Sequence, residues 1–119
     1  MYKRGDREFV LDMLIACRKI LEYTEGMRFE DFLRDERTID AVVRNLEILG
    51  EASKKVSPEL KEKYPEIEWS IIARTRDKLI HFYFGVDVGV VWATVRDDIP
   101  ELERKLEGVI WNEGWQDDL

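Results

Sequence analysis

The sequence predicts an all-α fold, a bundle of four or five helices. Apolar residues recur every three or four positions over long stretches, period-two alternation is missing, and the stretches are joined by short connectors carrying cap and stop signals. A chain of 119 residues suits one domain with one modest core, spanning 1–119, and shows no internal repeat, low-complexity tract or linker.

The first helix is predicted over 6–24, where Phe9, Val10, Met13, Leu14, Cys17, Ile20 and Leu21 share one face, and Gly26 supplies the stop. A short helix or turn over 29–33 is expected to tuck Phe29 and Phe32 onto the core. The second long helix covers 36–56 on the stripe Ile39, Val42, Val43, Leu46, Leu49, Ala52 and Val56. A charged stripe of Arg44, Glu47 and Glu51 runs beside it, and Gly50 lets another helix approach. Ser57-Pro58-Glu59 reads as a cap followed by a proline-started turn. A third helix is predicted over 69–84, stopped by Gly85. The fourth starts at Asp87, its capping residue, with Val88, Val91, Trp92 and Val95 inward. Pro100 should break or bend it, after which Leu102, Leu106, Val109 and Ile110 continue the apolar face. Residues 111–119 are expected to form a loosely packed tail, with Trp111 and Trp115 available to dock one turn.

Composition narrows the function classes. With 26 acidic against 19 basic residues the formal net charge is −7, which disfavours a surface built to wrap nucleic acid while leaving room for a small positive pocket. Cys17 is the only cysteine, so an intramolecular disulfide is impossible and a reducing, cytoplasmic setting is the expectation. No uncharged apolar run is long enough to span a bilayer, and the first residues do not form an apolar secretion segment. One histidine and one cysteine cannot make a standard zinc cluster within one chain, the plentiful carboxylates leave magnesium open by count alone, and no cofactor is called for.

The third helix carries the densest chemistry. Asp77 and His81 are four apart and share a face, with Arg74 a turn earlier. Arg76 and Tyr83, seven apart, also share a face, about 10 Å apart along the axis. Arg76 and His81 differ by about 140° around the helix, so one straight helix does not bring their tips together. A bend, the reach of the arginine or a second copy of the helix must close that gap, which points to a composite site in a homodimer. An imidazole can pass a proton near neutral pH, and a guanidinium fork matches phosphate oxygens. Together they suit cleavage of RNA without metal: a base takes the ribose 2′-OH proton, an acid protonates the leaving oxygen, and arginine stabilises the charged phosphorane. Asp77 can orient His81, and the helix C-terminus favours its protonated form. The same residues also fit a plainer role, with His81 partly buried and satisfied by Asp77, and the charged residues forming a solvated face of intrahelical ion pairs.

The segment Arg76-Asp77-Lys78-Leu79-Ile80-His81-Phe82-Tyr83 resembles the signature of the HepT-like toxins, a branch of the HEPN superfamily, in which an arginine is followed by four residues, a histidine, one residue and a tyrosine. Leu46 to Ala52 resembles that family's second-helix signature, Pro65 with Trp69 the segment leading into the motif helix, and Val86-Asp87, Val91-Trp92 and Ile99-Pro100-Glu101-Leu102 its fourth helix. The resemblance runs in consistent order from Phe9 to Leu106. It implies a HEPN-like helical homodimer acting on RNA rather than DNA as a metal-independent endoribonuclease toxin, away from membranes. It also implies a minimal nucleotidyltransferase antitoxin as partner, which silences such toxins by AMPylating the motif tyrosine, here Tyr83. Arg76, His81 and Tyr83 carry over as active-site residues. Asp77 departs from the asparagine typical of this branch. Its charge repels phosphate and stabilises protonated His81. Arg74, Glu47 and Glu51 are expected to support the site, the two glutamates facing the motif helix and pairing with Arg74 or Arg76. An alternative is a non-catalytic helical protein that presents Tyr83 to the nucleotidyltransferase.

Overall fold

The computed structural model of the chain describes residues 5–81 and 87–118, with the backbone alone at 76–81 and 118. Among the described residues every regular element is helical: α1 (Asp6–Thr24), α2 (Phe29–Arg34), α3 (Glu36–Lys55), α4 (Pro58–Lys63), α5 (Trp69–His81), α6 (Val88–Ala93) and α7 (Ile99–Glu113). The all-α expectation holds. None of the described helices is long and apolar enough to cross a membrane.

Local chemistry sets the boundaries. Gly26, at φ 75°, turns the chain after α1 in a conformation that side chains disfavour. The Asp35 carboxylate accepts from the Thr38 amide at 3.1 Å and starts α3. Ser57 Oγ accepts from the Leu60 amide at 3.2 Å with Pro58 at the first turn of α4, and the same hydroxyl donates to Asp6 at 2.5 Å. One serine thereby ties the starts of α1 and α4 together. Asp87 caps α6 by accepting from the Val90 amide at 3.2 Å, as its position in the sequence implied.

Packing follows the apolar stripes. α1 buries Val10, Met13, Leu14, Ala16, Cys17 and Ile20, while α3 contributes Val42, Leu46, Leu49 and Ala52 to the same cluster. α3 lies between α1 and α5, and α7 packs along α1. Phe32 is fully buried with its ring 5.0 Å from that of Trp92, so α2 tucks inward as expected, whereas Phe29 stays 36% exposed. Burial pushes the Cys17 thiol up to about 12, with Glu103 adding to the shift, so it packs as a small apolar group without thiolate reactivity.

The interruption expected at Pro100 is present and begins a turn earlier. Thr94–Asp98 form a π-helical turn between α6 and α7, and Pro100 falls in the first turn of α7. The wider turn places the missing donor where a new α-helical run leaves amide hydrogens unpaired in any case. α7 then runs three residues into the stretch expected as a loose tail. Gly114, at φ 77°, ends it, and the Trp115 amide donates to Ile110 O at 2.9 Å in a Schellman arrangement that sets Trp115 against the core. Trp111 is 57% exposed and does not dock.

Glu113 fastens this end to α4. It accepts from Tyr64 Oη at 2.6 Å and pairs with Lys63 Nζ at 2.7 Å. These two contacts hold its carboxyl below the usual carboxylate range, Lys63 contributing most. A depressed folded-state value adds stability that is present above the ordinary carboxylate range and disappears as pH falls through the folded-state value. Urea unfolding of wild type and Glu113→Gln at a series of pH values should therefore show a gap at neutral pH that closes in acid. A gap independent of pH would remove this linkage.

Candidate active site

α5 is the helix on which the sequence places the chemistry, and its N-terminal end is firmly anchored. Trp69 is 6% exposed, its indole donates to Tyr64 O at 3.1 Å, and its own carbonyl accepts from the buried Ser53 hydroxyl of α3 at 3.0 Å. Ile67 is buried just before the helix, and Ile72 packs against the core within it. Every polar group in this joint has a partner, which is what a buried amide, hydroxyl or indole requires.

From that anchor α5 runs without interruption through Arg76, Asp77 and His81. The uninterrupted backbone keeps the Arg76 and His81 Cα positions about 140° apart around the axis and about 7.5 Å apart along it. Tyr83 lies outside the described residues, as do the expected helix end at Phe84 and the stop at Gly85.

The supporting residues separate onto different surfaces. Glu47 and Glu51 line a concavity of about 430 Å³ between α1 and α3, with Phe9, Asp12, Arg44 and Lys55. Glu51 Oε1 is 3.8 Å from Lys55 Nζ. Arg74 is exposed and opens onto another concavity with Lys54 and Lys61. No ion pair between these glutamates and Arg74 is present among the described residues. The Arg76 side chain lies outside the described residues. On the remaining side of α5 a cleft of about 280 Å³ is floored by Leu46, Leu49 and Ile72 and rimmed by Glu68, Asp98 and Glu101. Burial, and secondarily Asp97, Glu68 and Glu101, push the Asp98 carboxyl up. Sequence spacing gave no hint of this cleft, since the π-helical turn that carries Thr94 and Asp98 to its edge has no periodic signal. Among the described residues no three His, Cys, Asp or Glu side chains gather where they could hold a metal ion.

A family model described as Ribonuclease HepT-like matches residues 13–109, a span that includes α2 to α6 and most of α1 and α7. This chain belongs to the HepT-like ribonuclease family. It is 51% identical over 105 residues to a probable ribonuclease HepT of Thermococcus cleftensis, covering 88% of this chain and 96% of that one. A candidate RNase of Methanocaldococcus jannaschii is 39% identical over 110 residues, covering 92% of this chain and 91% of its own. A third relative, a candidate RNase of Caldanaerobacter subterraneus, is 41% identical over 90% of this chain and 96% of its own. No solved structure matches the chain. Membership in the HepT-like family agrees with the resemblance read from Arg76 to Tyr83 and directs attention to α5 and its anchor.

That anchor has a measurable strength. Ser53→Ala removes the hydroxyl that reaches Trp69 O, and urea unfolding should show a loss of about 1 kcal/mol, the usual worth of such a bond. An unchanged midpoint would mean that the joint does not hold α5.

Proposed function

We propose that this HepT-like chain is a metal-independent endoribonuclease toxin acting as a homodimer. The observation that carries the reading is the placement of Arg76 and His81 on one unbroken helix in a chain of a ribonuclease family. In the reaction, a base takes the proton of a ribose 2′-OH and the oxygen attacks the adjacent phosphorus. The bond from phosphorus to the 5′ oxygen breaks, an acid protonates that oxygen, and a 2′,3′-cyclic phosphate remains. Arg76 stabilises the extra negative charge of the phosphorane. Each chain has a single histidine, so an imidazole base and an imidazole acid require two copies. Pairing of two α5 helices also closes the 140° gap that one helix leaves. Tyr83 serves as a phosphate contact and as the position where a cognate minimal nucleotidyltransferase antitoxin places AMP, filling the cleft and blocking RNA. The setting of this pair is cytoplasmic.

Asp77 favours a second reading, in which the dimer is a non-catalytic partner and AMPylation target of the nucleotidyltransferase, because a carboxylate beside the motif arginine repels phosphate.

Purified unmodified protein should cut RNA in EDTA and leave 2′,3′-cyclic phosphate ends, and His81→Ala should slow cutting by roughly 100-fold or more, as loss of a general acid or base does. Wild-type rates in that variant would take His81 out of the mechanism. No cutting by the free dimer, together with ATP-dependent AMP transfer to Tyr83 by the partner, would favour the second reading.

A further inference from the structure

The end of α3, α4 and the first turns of α5 enclose an open concavity of about 720 Å³ whose lining includes Lys54, Lys61, Glu68, Ser70, Ile71 and Arg74. It gathers three cations against one carboxylate in a chain whose formal net charge is −7. Nearby lysines are committed to carboxylates: Lys55 to Glu51 at 3.8 Å, Lys63 to Glu113 at 2.7 Å and Lys105 to Glu101 at 3.2 Å. Among the described residues no carboxylate lies within 4 Å of Lys61 or Arg74. A local positive field on an acidic surface attracts polyanions to that place and repels them elsewhere.

Position ties the concavity to α5 chemistry. Arg74 stands two residues before Arg76 and seven before His81 on the same unbroken helix, about 3 Å and about 10 Å away along the axis. The rest of the lining is apolar (Pro65, Ile67, Ala73 and the edge of the buried Trp69), with few groups that could read a base edge.

We propose that this concavity is a backbone subsite, in which Lys61 and Arg74 hold phosphates of the RNA strand on one side of the scissile bond. The proposal rests on the RNA reading above and adds where the strand lies. Contacts of this kind position the strand without selecting its sequence. Arg74 offers a planar fork to one phosphate, and Lys61 a mobile point charge to the next.

Binding can be read without cleavage by fluorescence anisotropy of a short single-stranded 2′-O-methyl RNA, which lacks the attacking hydroxyl. Lys61→Glu with Arg74→Glu should weaken binding by roughly 10-fold or more, and should flatten the slope of log affinity against log salt by about 0.7 for each lost phosphate contact. Lys19→Glu with Arg34→Glu, which makes the same change in net charge at exposed positions on α1 and α2, should stay close to wild type. Equal weakening by both pairs, an unchanged salt slope, or no binding by the wild type would overturn the proposal. So would loss of an acidic protein partner with RNA affinity intact. Dependence of binding on Lys61 and Arg74 in a protein that cuts no unmodified RNA would uphold the subsite and reject the ribonuclease reading. Cutting with affinity indifferent to these residues would do the reverse.

Discussion

α3 must satisfy two neighbours at once, and the rest of the bundle is arranged around that demand. Val42, Leu46, Leu49 and Ala52 are buried along it, with α1 on one side and α5 on the other. The valine and leucine side chains stabilise by roughly 1.5–3 kcal/mol each when fully buried, so a slip of either neighbour would expose several of them together. The buried Ser53 hydroxyl adds direction to this apolar contact, because its bond to Trp69 O fixes where α5 begins. A nonpolar contact is non-directional and by itself allows small shifts. The hydrogen bond and the indole anchor at Tyr64 O do not.

A helix fixed at its start and unbroken to His81 constrains the chemistry proposed for it. Residues five apart on an ideal helix cannot share a face, whatever their side chains. Shortage of histidine imposes the same demand from another direction. One imidazole per chain supplies one proton-transfer group, and both constraints are met when two protomers contribute to one cleft. The acidic surface is compatible with an RNA substrate provided that positive charge is gathered near α5, as Lys54, Lys61 and Arg74 gather it.

Much of the fold was legible because its signals are local. The periodicity of Val10, Met13, Leu14 and Cys17, the glycine at 26, the Asp87 cap and Pro58 each act within one turn of their own position. Features that depend on distant partners were not legible. The helix continues to Glu113 because Tyr64 and Lys63, some fifty residues earlier, hold it there. The π-helical turn before Pro100 depends on how the surrounding helices accommodate an extra residue, which spacing does not record. The stripe of Glu47 and Glu51 lies on α3 as its spacing implied, while its expected pairing with Arg76 falls on a side chain outside the described residues. Helical spacing says which residues share a face; packing decides that this face opens toward Phe9 and Asp12 of α1. The order of Arg76 and His81 on one helix was legible from spacing, and their distance around it follows from the same repeat.

The composite cleft is open to a direct trial by subunit mixing. Wild-type and His81→Ala protein, the variant inactive alone, are unfolded together in a series of ratios, refolded and assayed on RNA in EDTA. If one cleft needs the imidazoles of both protomers, mixed dimers are inactive and activity falls as the square of the wild-type fraction. Activity falling only in proportion to the wild-type fraction, or a protein that cuts RNA as a monomer, would contradict the account.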